Sequence, residues 1–316
     1  MPRVAVTIGD AAGIGPEIIL KAVGDEKIGK ISRPVIIGDA AHLRRLSAKF
    51  GLENDFTIVE KGEEIPADSD KPVVYDLKNL PASPLAFGEE SAIAGRAAAE
   101  YIETAVELWR AGKIDAVATA PISKKALALG GRPFPGHTEF LAHLTGTKEF
   151  AMSFFAGRLR VVLLSTHVSL IDAIRLVKKE NLVRLILFTD RALGRLLNKK
   201  ARIAVAGLNP HASEGGMFGS EESEEIIPAI EECRAGHGAD VSGPFSPDTI
   251  FLRAHRGEFD AVLACYHDQA TIPVKCLSFG ASVNVTLGLP LVRTSVDHGT
   301  AFDIAGRNAA DSSSMK

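Results

Sequence analysis

Cysteine is scarce: Cys233, Cys265 and Cys276 are the three in 316 residues. They are too few and too irregularly spaced for a disulfide framework or a CxxC metal site, and read as reduced, packed thiols. A basic tract is also missing. Lysine and arginine number 36 against 39 acidic residues, a formal net charge of -3 spread in both signs, which argues against nucleic acid or a membrane surface as partner. No apolar run approaches the roughly 20 residues that span a bilayer. The first residues, MPRVAVTIGD, run straight into a strand-like segment without the basic, apolar, small order of a signal, so a cytoplasmic location is expected. There is no P-loop, GxGxxG, HExxH or internal repeat. What is there is apolar: 46% of the chain, enough for two ordinary domains or one large α/β unit.

Strand-like and helix-like segments alternate along the chain. RVAVTI leads through the glycines of GDAAGIGPEI to Pro16, a plausible first helical position with Glu17 in the first turn. PVIIGDAAHLRRLSAKFG, FTIVE and PVVYDL continue the alternation. Helical spacing of apolar residues predicts helices over 88–112 and 182–198, and FAMSFFAGRLRVVLL reads as two strands around the turn AGR. IDAVATAPISKKAL is strand, proline turn and helix. The economical topology is a mostly parallel sheet with crossover helices.

Chemistry concentrates after the strands. AVLAC delivers Tyr266, His267 and Asp268, expected as a functional loop, while Lys275, Asn284 and Arg293 follow in or beside apolar segments. Cations there want an anion. Gly299 and Gly306, in DHGTAFDIAG, would allow a ligand close to the backbone. GHTEFLAHLTG predicts a helix start with His137 and Thr138 at an exposed mouth; alone, His137 also reads as a cap. GLNPHASEGGMFGSEE is too elaborate for mere punctuation, and Asp248 sits at a turn before a helix. His167, His211 and His267 each follow an apolar strand, so a parallel sheet would carry all three to its carboxyl edge. Three imidazoles there can form a site with an open position or be satisfied core histidines; spacing leaves both readings open.

The motifs GDxAGIGPE, GHTEF, LSTHVSL, GLNPHASEGG, GPFSPDT, CYHDQ, the Lys275 segment and NVTLGLPLVRTSVDHGTAFDIAG together resemble, nearly end to end, the 4-hydroxythreonine-4-phosphate dehydrogenase family of pyridoxal phosphate (vitamin B6) biosynthesis. HGTAFDIAG is also similar to the HGSAPDIAG cofactor loop of isopropylmalate and isocitrate dehydrogenases. The resemblance implies an isocitrate/isopropylmalate dehydrogenase-like α/β fold: two α/β/α subdomains, approximately 1–130 plus 280–316 and 131–279, with a mostly parallel sheet and an active-site cleft between them. It implies NAD- or NADP-dependent oxidation of the C3 hydroxyl of 4-phosphooxy-L-threonine, followed by decarboxylation to 3-amino-2-oxopropyl phosphate. His167, His211 and His267 would hold one divalent ion (zinc, magnesium or cobalt), a Lewis acid for both steps. His137, Thr138, Lys275, Asn284 and Arg293 would bind substrate. Asp248, Asp268 and Lys275 would be catalytic, the aspartates holding the substrate amine or moving its proton. His298, Gly299, Thr300, Ala301 and Asn308 would hold the cofactor. A homodimer with shared active sites is implied, with His167 and His211 from one chain and His267 from the other.

Two departures from the family pattern stand out. Ala11 replaces a common proline, and SSSMK ends the chain where relatives usually continue into a last helix, so a truncated sequence is expected. Two rivals remain. A 4-phospho-D-threonate or D-erythronate dehydrogenase of sugar-acid breakdown would share every motif, the EGG of NPHASEGG favouring the biosynthetic branch. A non-catalytic phosphometabolite-binding protein is disfavoured because metal, acid and cofactor motifs persist together.

Overall fold

A computed structural model describes residues 1–52, 55–83, 85–278 and 282–316. The chain forms two compact units, Met1–Lys148 with Leu289–Lys316, and Glu149–Gly288. The first contains β1 (Arg3–Thr7), β2 (Arg33–Gly38), β3 (Thr57–Glu60), β4 (Val73–Asp76) and β5 (Ala116–Thr119). The second contains β6 (Ala151–Ala156), β7 (Leu159–Leu163), β8 (Ile203–Ala206), β9 (Val241–Phe245), β10 (Ala261–Ala264) and β11 (Val283–Leu287). The chain then returns to the first unit as β12 (Val292–Ser295).

In the first unit the strands lie in the order β3-β4-β2-β1-β5-β12, every pair parallel. In the second the order is β11-β6-β7-β10-β8-β9. Here β6 pairs antiparallel with β11 and β7, while β7, β10, β8 and β9 run parallel. The fold is thus the mostly parallel α/β class expected. The parallel strands β8 (IAVA) and β10 (AVLA) are short apolar runs buried along their length, as strands covered on both faces require.

Local chemistry sets the element boundaries. The helix expected over 88–112 spans Ala92–Arg110, because the Ser91 side chain accepts the Ala94 N–H and fixes the start there. The second long helix runs Lys179–Leu197 and stops on Asn198 in the left-handed conformation, φ 51°. Cys233 and Cys265 are buried packing thiols, pushed up by burial to about 11 and about 12, whereas Cys276 is exposed. Among the described residues, no helix is long and apolar enough to cross a membrane.

Candidate active site

The parallel ladder β7-β10-β8 explains how distant histidines reach one edge. His167, His211 and His267 lie three to five residues beyond the carboxyl ends of β7, β8 and β10. Short bonds tie the three exits together: Leu164 N–H donates to Ala264 O (2.8 Å) and Ser165 Oγ to Cys265 O (2.9 Å). Gln269, largely buried, bridges the other side, accepting from Cys265 N (2.7 Å) and donating to Gly207 O (2.7 Å). After β10 only Cys265 and Tyr266 precede the next helix. His267 is the first residue of that helix, His267–Ser278.

The imidazoles of His167 and His267 stand 5.7 Å apart, ring centre to ring centre, within one chain. Adjacent parallel strands deliver both. His211 is exposed, with Nδ1 3.0 Å from Glu214 Oε2 and its ring edge-on to Phe218. That hydrogen bond, then the carboxylate charge, raise the His211 pKa, and Asp248 adds a smaller push. Among the described residues, no group of three or more His, Cys, Asp or Glu is gathered to hold a metal ion. The donor chemistry nevertheless fits one. His267 Nδ1 lies 2.7 Å from Asp268 Oδ1, and His211 Nδ1 is paired with Glu214, so both carboxylates favour the tautomer whose Nε2 lone pair is available.

Asp248 and Asp268 line one cavity of 560 Å³ with Tyr266 and Gln269, walled by Phe251 and Ile272. Asp248 accepts from Ser246 Oγ at 2.5 Å. Lys275 is exposed, because the helical period buries Gln269, Ala270, Thr271 and Val274 and turns Lys275 outward. Asn284, half-buried on β11, lies opposite Phe154 and its Oδ1 has no hydrogen-bond partner among the described residues.

A second cluster sits in the first unit. Arg293, on β12, is 3% exposed and donates from Nη2 to Thr119 Oγ1 on β5 (2.7 Å). Burial pushes its guanidinium down to about 9, with Glu139 opposing only in part. This is a cation stripped of water. His137 and Thr138 open the helix His137–Thr145, but they are buried rather than at an exposed mouth. Burial first, and then the Arg293 charge, hold His137 well below the usual histidine range, so it is neutral. Its Nε2 is buried without a hydrogen-bond partner among the described residues. Thr119 was not legible as a site residue; its position at the end of the VAT strand was the available signal.

The segment from His298 to Asn308 is interlocked with the loop after β1. Ile14 N–H donates to Thr300 O (3.0 Å) across the two; the loop after β1 is also held by Gly88 N–H to Ala12 O (2.9 Å), and within the segment His298 Nδ1 lies 3.1 Å from Gly299 O. Gly306 has φ +72°, and a Cβ there would lie 2.7 Å from the Phe87 ring. Its lack of a side chain therefore accommodates Phe87, not a ligand. Ala301 and Asn308 also hold positive φ, and exposed Asn308 accepts through its carbonyl from Lys21 Nζ (3.2 Å). Gly299 has open space where a side chain would stand, so a dinucleotide could approach its backbone.

Burial pushes the neighbouring Asp10 carboxyl up to about 6, the Ala12 N–H bond opposing this and Glu90 adding to it. A carboxyl with a raised native pKa favours folding below its unfolded value of 3.8 and loses that contribution as pH rises through about 6. Asp10→Asn should therefore be more stable than the parent at pH 8, by at most about 3 kcal/mol, with the gap closing by about pH 4. Urea unfolding at both pH values checks this; a gap independent of pH would contradict it.

The histidine-bearing exits of β7, β8 and β10 thus belong to the second unit of this α/β chain, and the buried Arg293 beside Thr119 belongs to the first. Residues 30–316 match the family model described as pyridoxal phosphate biosynthetic protein PdxA. The chain belongs to that family. A D-threonate 4-phosphate dehydrogenase of Cupriavidus necator is 48% identical over 100% of this chain and 94% of its own length. A 4-hydroxythreonine-4-phosphate dehydrogenase of Desulfosudis oleivorans is 44% identical over 99% and 93%. The crystal structure of 4-hydroxythreonine-4-phosphate dehydrogenase from Klebsiella pneumoniae superposes with a TM-score of 0.89 at 42% identity, covering 100% of this chain and 96% of that one.

Proposed function

We propose that the protein is a cytoplasmic, NAD- or NADP-dependent dehydrogenase that oxidises the C3 hydroxyl of a four-carbon acid phosphorylated at C4. The observation that carries this is the buried Arg293 beside neutral His137: a dehydrated guanidinium gains most from a doubly charged ligand, and a neutral imidazole can donate one hydrogen bond to it. Thr138 adds a hydroxyl at the same helix start, whose N-terminus also favours an anion.

Oxidation needs the hydroxyl proton and a hydride to leave together. The nicotinamide, on the His298 to Asn308 segment with Thr300 and Ala301, would take the hydride, and a divalent ion such as zinc, magnesium or cobalt would supply Lewis acidity from His167, His211 and His267. The chain's own residues do the rest. Asp248, with Ser246 on its Oδ1, would receive the proton; Asp268 would orient His267 through Nδ1; Asn284 would offer an amide to the substrate's polar end. Exposed Lys275 acts by attracting the anion rather than by touching the reacting carbon.

D-Threonate 4-phosphate is the proposed substrate, supported by the name of the 48% identical relative. The second reading is 4-phosphooxy-L-threonine, supported by the EGG of NPHASEGG and by the 44% identical relative. The two substrates differ at C2, hydroxyl against amine. Cofactor reduction at 340 nm with each separates them: a kcat/KM at least tenfold higher for 4-phosphooxy-L-threonine overturns the first choice, and no turnover of either overturns the dehydrogenase reading. A homodimer with shared sites is also proposed. Val168, Leu170 and Ile171, 48%, 59% and 63% exposed, flank His167 as apolar surface a second subunit would cover. Sedimentation showing only a monomer would reject it.

A further inference from the structure

Arg293 reaches its partner along the sheet. In the parallel register of β12 on β5, Arg293 stands opposite Val117, Thr294 opposite Ala118 and Ser295 opposite Thr119. Side chains alternate between faces, so Arg293, Ser295, Val117 and Thr119 lie on one side. The guanidinium therefore runs two residues toward the carboxyl edge, roughly 7 Å at strand spacing, to bring Nη2 within 2.7 Å of Thr119 Oγ1. This contact is dry: Thr119 is fully buried and Arg293 nearly so.

Strand β12 also fixes the polarity of the Thr119 hydroxyl. The hydroxyl has one proton, directed at Thr294 O 3.3 Å away, so the guanidinium meets lone pairs. A β-branched side chain has little χ1 freedom, and Ser295 Oγ donates to Thr119 O (3.3 Å), tying down the backbone of the same residue. Packing on this face does not itself call for a hydroxyl, because two residues earlier on β5 the equivalent buried place is filled by Val117. His137, which the Arg293 charge helps to hold neutral, adds a buried Nε2 without a hydrogen-bond partner among the described residues. An orphaned imidazole nitrogen within reach of a dehydrated cation points to a ligand that brings its own polar atoms.

We infer that Thr119 is a positioning residue for Arg293: its hydroxyl accepts from Nη2, holds the guanidinium against β5 and so fixes the plane in which Arg293 meets a phosphate monoester. This rests on the proposed reading of Arg293 as the phosphate ligand. A guanidinium already held in its binding orientation loses less freedom when the anion arrives, which is where the hydroxyl contributes affinity. Thr119 acts through Arg293 and does not itself touch the phosphate.

The test is calorimetric titration of the full chain with inorganic phosphate, together with steady-state kinetics on phosphorylated and unphosphorylated acids. Parent, Thr119→Val, Thr119→Ser, Arg293→Met and the Thr119→Val/Arg293→Met double variant are compared. Valine keeps the branched shape and removes the hydroxyl; serine keeps the hydroxyl. Thr119→Val should bind phosphate about threefold to tenfold more weakly, the kinetic loss falling on KM, and the preference for the phosphorylated acid should drop by the same factor. Thr119→Ser should recover most of both. The double variant should bind no more weakly than Arg293→Met, because a residue that works through the guanidinium has nothing left to position. If valine prevents folding, Thr119→Ala takes its place in every comparison. Parent-like phosphate binding by Thr119→Val, with binding lost in Arg293→Met, overturns the positioning role and leaves the reading of Arg293 standing. Additive losses in the double variant would make Thr119 a direct ligand and also overturn it. Equal losses of Thr119→Val on both acids would make Thr119 merely structural, with the same result. Parent-like phosphate binding by Arg293→Met removes the phosphate reading and the inference with it.

Discussion

Arg293→Met should lower kcat/KM for the phosphorylated substrate about tenfold to a hundredfold, since a charge-assisted hydrogen bond contributes roughly 1.5–3 kcal/mol. The loss should fall mainly on KM if the guanidinium holds a phosphate that does not react. Methionine keeps most of the buried volume and removes a charge that burial penalises, so the ligand-free protein should melt no lower than the parent. Thr119 still has Thr294 O within 3.3 Å of its hydroxyl, so the substitution does not strand it. Inorganic phosphate should raise the melting temperature of the parent more than that of the variant, because anion binding relieves the same desolvation. An unchanged preference for phosphorylated over unphosphorylated acid, with equal phosphate stabilisation of both proteins, would show that Arg293 serves the fold alone.

Arg293 was legible because a cation in the strand run PLVRTSV has few reasons to be there. The histidines were legible for a different reason: each follows a short apolar run, and a parallel sheet places all such exits on one edge. Lys275 lies on a helix instead. Apolar neighbours along a helix occupy one face, so a charge among them turns to solvent, whereas in a strand only alternate positions have that freedom. The burial of His137 depends on packing around the helix start, which the sequence of that segment does not encode. Nor does local sequence announce the left-handed turn at His211, where four side chains disfavour the conformation adopted and the braces come from Asn209, Gly219 and Glu222. Gly306 was recognised as special, but Phe87, its reason, lies more than two hundred residues away in the chain.

His267→Ala is expected to have an effect at least as large as that of Arg293→Met. His267 lies after β10, flanked by β7 and β8, and its ring is the neighbour of His167, so its removal takes one donor from the proposed ion and leaves its partner unsupported. If the ion contributes several kcal/mol of charge stabilisation as the hydroxyl loses its proton, turnover should fall by about a hundredfold or more. Bound metal after dialysis should drop in parallel. Asp268→Asn separates ligation from orientation: the imidazole remains, but its Nδ1 partner loses its charge, so metal should bind about ten to a hundred times more weakly, with activity returning when the ion is supplied in excess. The helix His267–Ser278 is held by buried Gln269, Ala270, Thr271 and Val274, none of which either change touches, so both variants should unfold with the parent's cooperativity. Full metal occupancy in His267→Ala would remove this residue from the metal site. Full occupancy with turnover still lost in Asp268→Asn, at any metal concentration, would return Asp268 to a direct role in moving the substrate's proton.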